Sequence, residues 1–167
     1  MVSLRQVEKF HRKKQLIKNI IERTLKDKEI VYGERAIEVR VPDYLQRNTK
    51  DIDVYANKPL KEAKEAEKEL DKEFGGNYFY TVPAKHKGTF KVKSRINEYG
   101  YADFTKMPKK RPKSENIWGV NYQTLSEIKK GRIENIKNKQ KKFRRGKDKD
   151  ALNRIKIYER QRRFFKW

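Results

Sequence analysis

Three aspartates stand where apolar strands are expected. In "QRNTKDIDVYANKP", residues 46–59, Asp51 and Asp53 flank Ile52 and lead into Val54-Tyr55-Ala56. Strand side chains alternate between faces, so Asp51 and Asp53 are expected side by side. Adjacent like charges cost stability unless a cation or hydrogen bonds compensate them. The pair therefore reads as a metal site or as a solvated strand end. Asp103 lies in "YGYADFTKM", framed by Tyr101, Ala102 and Phe104, although strand interiors are depleted in Asp. If the two strands are neighbours, Asp51, Asp53 and Asp103 converge. Three carboxylates suit Mg²⁺ or Mn²⁺, hard cations that take oxygen ligands. Two such ions would stabilise the attacking and leaving oxygens of a phosphoryl displacement. A lone D-x-D also arises by chance, and Asp103 has a plainer reading in capping a turn or pairing with a lysine.

The elements that must position these acids follow from periodicity. Val7, Phe10, Ile17, Ile20, Ile21 and Leu25 recur at helical spacing and predict a helix over residues 2–27. "EIVYG" reads as a short strand ending at Gly33, and "ERAIEVRV" as a short helix or strand stopped by Pro42. Pro59 opens a helix with Leu60, Ala63, Ala66, Leu70 and Phe74 on one face, terminated by Gly75-Gly76. "NYFYTVPA" and "GTFKVKSRI" predict a hairpin around "KHKG", and "GYADFTK" a third strand. After "MPKKRPK", two basic helices are expected, "YQTLSEIKKGRIENIKNKQKKF" and "KDALNRIKIYERQRRFF". This order predicts an α+β fold: a small mixed β-sheet with flanking helices over residues 1–105, and basic helices over residues 106–167 packed on that core.

Charge bears on the partner. The chain of 167 residues has a net charge of +22. Beyond Asp103 there are 22 Lys and Arg against 6 Asp and Glu; up to Asp103 the counts are 23 and 17. Such asymmetry implies a polyanion, most simply nucleic acid, the alternative being plain solubility. The absence of Cys excludes disulfides and cysteine-based zinc sites. Two histidines, His11 and His86, leave no basis for a histidine-rich metal centre. No run approaches the roughly 20 apolar residues of a membrane span, and an intracellular, cytoplasmic protein without membrane partners is expected.

Gly33 at a strand end, "RNTKDIDVYANKP", the helix that follows and Asp103 on a later strand together resemble the polymerase-β-like nucleotidyltransferase superfamily. The likeness is to its small stand-alone members in mobile elements, viruses and toxin–antitoxin systems, and it covers roughly residues 29–105. The resemblance implies transfer of a nucleoside monophosphate from an NTP to an acceptor hydroxyl of nucleic acid, RNA such as tRNA being favoured, or of protein. It casts Asp51, Asp53 and Asp103 as metal ligands and catalytic residues, and Gly33 as the cradle of the phosphates. Arg35, Lys85 and Lys147 become candidate nucleotide contacts; Lys85 and Lys87 also read as exposed turn lysines around His86. "FRRGKDKDALNRIKIYE" resembles a C-terminal helix of such proteins in which Arg145, Lys147 and Asp148 buttress the site; its other reading is a solvated charged helix. Where the superfamily has Gly-Gly or Gly-Ser, this chain has Gly33-Glu34-Arg35. Glu34 would repel phosphate unless it points away.

Trp118, Tyr122 and Phe143 are candidates for stacking on bases, with core packing as the alternative, and the closing "RQRRFFKW" either binds RNA or ties the tail down. A catalytically inactive nucleic-acid-binding protein on the same fold is the competing functional reading. A restriction-type nuclease ranks below both, because Asp53-Val54-Tyr55 and Asp103-Phe104-Thr105 lack its acid-x-Lys triplet.

Overall fold

In the computed structural model, residues 3–49 and 51–165 are described, without the side chains of Gln6, Val7, Lys9 and His11. The side chain of Val7 in the expected helical stripe, and Lys166 and Trp167 of the terminal motif, therefore fall outside what is described.

The strand β2 (Ile52–Ala56) alternates buried and half-buried residues. Ile52, Val54 and Ala56 are fully buried, and each of the two larger side chains contributes about 1.5–3 kcal/mol. Slipping this strand by one residue would bury Asp53 and expose all three, so its register is strongly specified. β2 pairs in parallel with β5 (Gly100–Lys106), and Asp53 lies directly opposite Asp103. On the other side it pairs antiparallel with β1 (Ile30–Tyr32). The hairpin β3 (Phe79–Pro83) and β4 (Thr89–Ser94) extends the sheet beyond β5 through antiparallel pairs.

The expected helix over residues 2–27 is two helices, α1 (Leu4–Arg12) and α2 (Lys14–Thr24), broken at Lys13. The break lets Phe10 turn onto Phe74, Tyr78 and Phe79, with ring centroids 4.8, 5.8 and 5.8 Å away. After Gly33 comes the short α3 (Glu34–Glu38), then a 3-10 turn at Asp43–Leu45. The helix α4 (Pro59–Phe74) buries Ala63, Ala66 and Leu70 and ends at Gly75 in the left-handed conformation. Leu60, expected on the same face, is exposed.

The region after residue 106 departs from expectation at its start. It opens with a hairpin, β6 (Ser114–Ile117) and β7 (Val120–Gln123), where two basic helices alone were predicted. β7 pairs in parallel with β1, so one sheet of order β3-β4-β5-β2-β1-β7-β6 runs across the 105/106 division. The turn uses Trp118 and Gly119, both at positive φ (49° and 86°), as a two-residue hairpin with the strands' twist requires. Two helices then follow as expected, α5 (Leu125–Lys137) and α6 (Arg145–Phe164), joined by a 3-10 segment. Thr124 caps α5 by accepting a hydrogen bond from the Glu127 amide at 3.2 Å. Ile128, Ala151 and Ile155 are the buried contacts of this pair of helices. Among the described residues no helix is long and apolar enough to cross a membrane.

Candidate active site

Asp53 and Asp103 meet on adjacent parallel strands because burial of Ile52, Val54, Ala102 and Phe104 forces both aspartates to the opposite face. Asp51 lies just before β2. Burial, then the charges of Asp51 and Asp103, push the Asp53 carboxyl up to about 7, while Lys91 and Arg132 pull the other way. Lys91, opposite Asp103 on β4, places its Nζ 2.9 Å from Asp103 Oδ1, the lysine pairing that is the plainer reading of Asp103. Among the described residues no group of three acidic or histidine side chains is gathered as a metal cage. The carboxylates are a strand pair with a third acid nearby.

Gly33 closes one side. Its φ of +69° with ψ of −146° is backbone that glycine alone adopts readily. A Cβ there would lie 2.9 Å from Asp53 Oδ2, so the missing side chain is what lets the turn press against the carboxylate. Tyr32, opposite Asp53 on β1, stacks on Tyr55 with centroids 3.7 Å apart and 10° between planes. Burial and then Asp53 raise its phenol well above the ordinary range, so Tyr32 stays neutral beside the carboxylates.

The residues around Gly33 take roles that spacing did not predict. Glu34 is held by Arg154 of α6, which also donates to the Leu45 carbonyl and to Asp150. Its charge is thus neutralised by the C-terminal helix. Arg35, expected as a phosphate contact, is buried and donates to Glu22 and Glu38. Burial alone would lower its pKa, but hydrogen bonding and the charge of Glu22 more than offset that. Glu38 in turn accepts from the amide and hydroxyl of Thr49, each at 3.3 Å, and pairs with Lys18 at 3.1 Å. Lys18 also donates to the Thr49 carbonyl at 2.9 Å. Arg35 therefore sits in a network that fixes the segment two residues before Asp51.

The remaining candidates scatter. Lys85, His86 and Lys87 are exposed in the β3–β4 turn, at the sheet edge away from β2. Lys147 is exposed in the first turn of α6 and lines a shallow cleft with Arg47 and Arg154. Asp148 is fully buried and receives Arg132 at 2.8 Å, while Lys149 and Asp150 are solvated like Lys147. Arg145 is half-buried, its Nε enclosed without a partner. Trp118 and Phe143 are exposed, whereas Tyr122 is buried and hydrogen-bonded to Glu22, out of reach of a base. Arg132 was missed by sequence reasoning: its charge reaches Asp53 from α5, where it is held by Asp148 of α6, and no local pattern encodes that pairing.

The seven-stranded mixed sheet with flanking helices matches a nucleotidyltransferase-like fold. The solved structure of the Megavirus polyadenylate synthase is similar, with a TM-score of 0.62 and 21% identity over 86% of this chain and 31% of that one. JHP933 from Helicobacter pylori aligns with a TM-score of 0.48 and 13% identity over 80% of this chain and 58% of that one. The chain spans less than a third of the viral synthase's length, and likeness at this identity concerns the fold. No family model and no curated protein matches the sequence.

Proposed function

We propose that the protein is a nucleotidyltransferase that moves a nucleoside monophosphate from an NTP to a hydroxyl of a nucleic-acid acceptor, RNA being favoured. The observation that carries this reading is the register pairing of Asp53 with Asp103, with the Gly33 backbone pressed against Asp53. The oxygen donors of Asp53, Asp103 and Asp51 fit Mg²⁺ or Mn²⁺. Mg²⁺ commonly uses one or two carboxylates and completes its shell with water and substrate phosphates, so a three-acid cage is not required. Charge that burial and like neighbours leave uncompensated on Asp53 is what a divalent cation relieves. Such ions, one or two, would supply charge neutralisation at the transferring phosphoryl group.

In this reading the acceptor oxygen bonds to the α-phosphorus, the bond to the bridging oxygen breaks, and pyrophosphate leaves. Asp103 takes the acceptor proton. Gly33, free of a side chain, lets its backbone approach the phosphates. Arg154 supports the same turn by neutralising Glu34, which answers the repulsion expected of that residue. The Arg35 network positions Asp51 through Thr49.

A second reading, a nucleic-acid-binding protein without turnover, is favoured by the Lys91–Asp103 ion pair. One experiment separates them. The protein is incubated with RNA, Mg²⁺ or Mn²⁺ and each α-labelled NTP, beside Asp53→Asn. Label on RNA with the wild type alone supports the transferase, and label on protein redirects the acceptor. RNA binding without label under any condition leaves the second reading.

A further inference from the structure

A wide cleft lies away from the aspartates, between the edge strand β6, the segment after α3 and the C-terminal half of α6. Its volume is about 1150 Å³. Tyr44 and Phe165 line it while 69% and 65% exposed, an unusual placement for rings. Tyr158 forms part of the wall, with the Arg162 guanidinium 5.7 Å from its ring centroid. Two acids line the cleft as well, but each is matched: Glu115 by Arg40 at 3.5 Å and Glu159 by Lys129 at 2.7 Å. Lys113 and Arg162 are exposed and form no ion pair among the described residues. The cleft thus presents aromatic faces and unmatched cations, and its walls belong largely to the half of the chain with 22 Lys and Arg against 6 acids.

We infer that this cleft binds single-stranded nucleic acid, with bases stacked on Tyr44, Tyr158 and Phe165 and phosphates held by Lys113 and Arg162. Stacking on aromatic rings combined with a cationic groove is how single strands are held without sequence preference. Exposed rings explain the stacking half, unmatched cations the phosphate half, and the strong basic excess makes a polyanion the complementary occupant. β6 is three strand spacings from β2, about 15 Å. A stacked single strand rises about 3.4 Å per nucleotide, so a strand running from the cleft to the aspartates spans at least four nucleotides, and more because Glu115 shares the sheet face of Val31 and Val54, opposite that of Asp53.

The test is fluorescence anisotropy of a labelled twelve-nucleotide single-stranded RNA with the full chain, without NTP or divalent cation. Tyr44→Ala combined with Phe165→Ala is expected to raise Kd at least tenfold, since a stacked base contributes on the order of 1–3 kcal/mol. Tyr44→Phe keeps the ring but loses the hydroxyl's 2.6 Å hydrogen bond to Gln161, and it is expected to bind as the wild type does. Lys113→Ala with Arg162→Ala is expected to lower the slope of log K against log salt by about 1–2. Unchanged affinity and slope in these variants overturns the inference. So does a change in sedimentation without loss of RNA affinity, which would make the cleft a self-association or protein-binding face.

Binding read this way does not depend on turnover, so it stands or falls separately from the transferase reading. One consequence rests on that reading: label transfer to a twelve-nucleotide acceptor falls in the double aromatic variant, while transfer to a trinucleotide does not. Equal loss on both acceptors would remove the cleft from the acceptor's path.

Discussion

Glu22 and Glu38 lie among Arg35 and Lys18, every carboxylate answered by a cation within the fold. Asp53 and Asp103 lie side by side on the sheet, and among the described residues only Asp103 has an ion-pair partner, Lys91. Both clusters remove acids from water, but only in the first is every acid paired with a counter-charge. The second leaves Asp53 titrating at about 7, far above an ordinary aspartate. A fold that neutralises charge internally is building structure. One that withholds the counter-charge leaves room for something from outside to provide it.

Arg35 holds the self-neutralised cluster together, and its loss has the largest expected effect. Arg35→Met leaves Glu22 and Glu38 with too few cations, and a broken buried pair costs about 3–5 kcal/mol. Denaturant melts should show that loss with little change in slope. Asp53→Asn should do the opposite. The folded chain keeps a proton on Asp53 up to about pH 7, whereas an unfolded Asp releases it near ~3.9. Folded Asp53 binds the extra proton between those values, so the stability it contributes is present at low pH and is lost as pH rises through 7. At pH 8 Asp53→Asn is expected to be more stable than the wild type by about 2–4 kcal/mol, since each tenfold change in proton affinity is worth ~1.4 kcal/mol. The difference should vanish below about pH 4. Mg²⁺ should raise the melting temperature of the wild type at pH 8 and leave Asp53→Asn unmoved; equal response would separate the aspartates from cation binding.

Gly33→Ala probes the uncompensated cluster at a smaller scale. The backbone there, at φ +69°, is strained for alanine, and the methyl would press on Asp53 Oδ2. A loss of about 1–3 kcal/mol is expected, with a further fall in activity beyond what lower stability explains. The smallest effect belongs to Lys85→Ala, at an exposed turn outside both clusters. Its stability should change by less than about 0.5 kcal/mol, and a large loss of NTP binding would restore it as a nucleotide contact.

What could be read in the sequence was whatever rests on local period. Asp53 between Ile52 and Val54, and Asp103 between Ala102 and Phe104, announce their face by alternation alone, and their neighbouring strands brought them together. The helix from Pro59 to Gly75 carries its own start and stop signals. The hairpin at Ser114–Gln123 was hidden because "SENI" and "VNYQ" are short and polar. Trp118-Gly119 between Ile117 and Val120 was the available turn signal, and Thr124 with Glu127 marked where the helix starts. The fates of Glu34 and Arg35 were illegible for another reason. Glu34 is neutralised by residue 154 and Arg35 is consumed by Glu22, and no spacing rule reaches across such distances.

The late hairpin bears on how the chain reaches its folded state. Strand β1 borders β2 on one side, but its other edge waits for residues 120–123, so Val31 pairs with Tyr122 across most of the sequence. Contacts between such remote residues are slow to form, because loop closure must precede any gain from pairing. Until they form, Ile30 and Val31 offer an open hydrophobic edge, the kind of surface on which chains pair with one another. On a chain emerging from the ribosome, both aspartates are made before the residues that close the sheet beside them, and association between nascent copies through that open edge is the hazard.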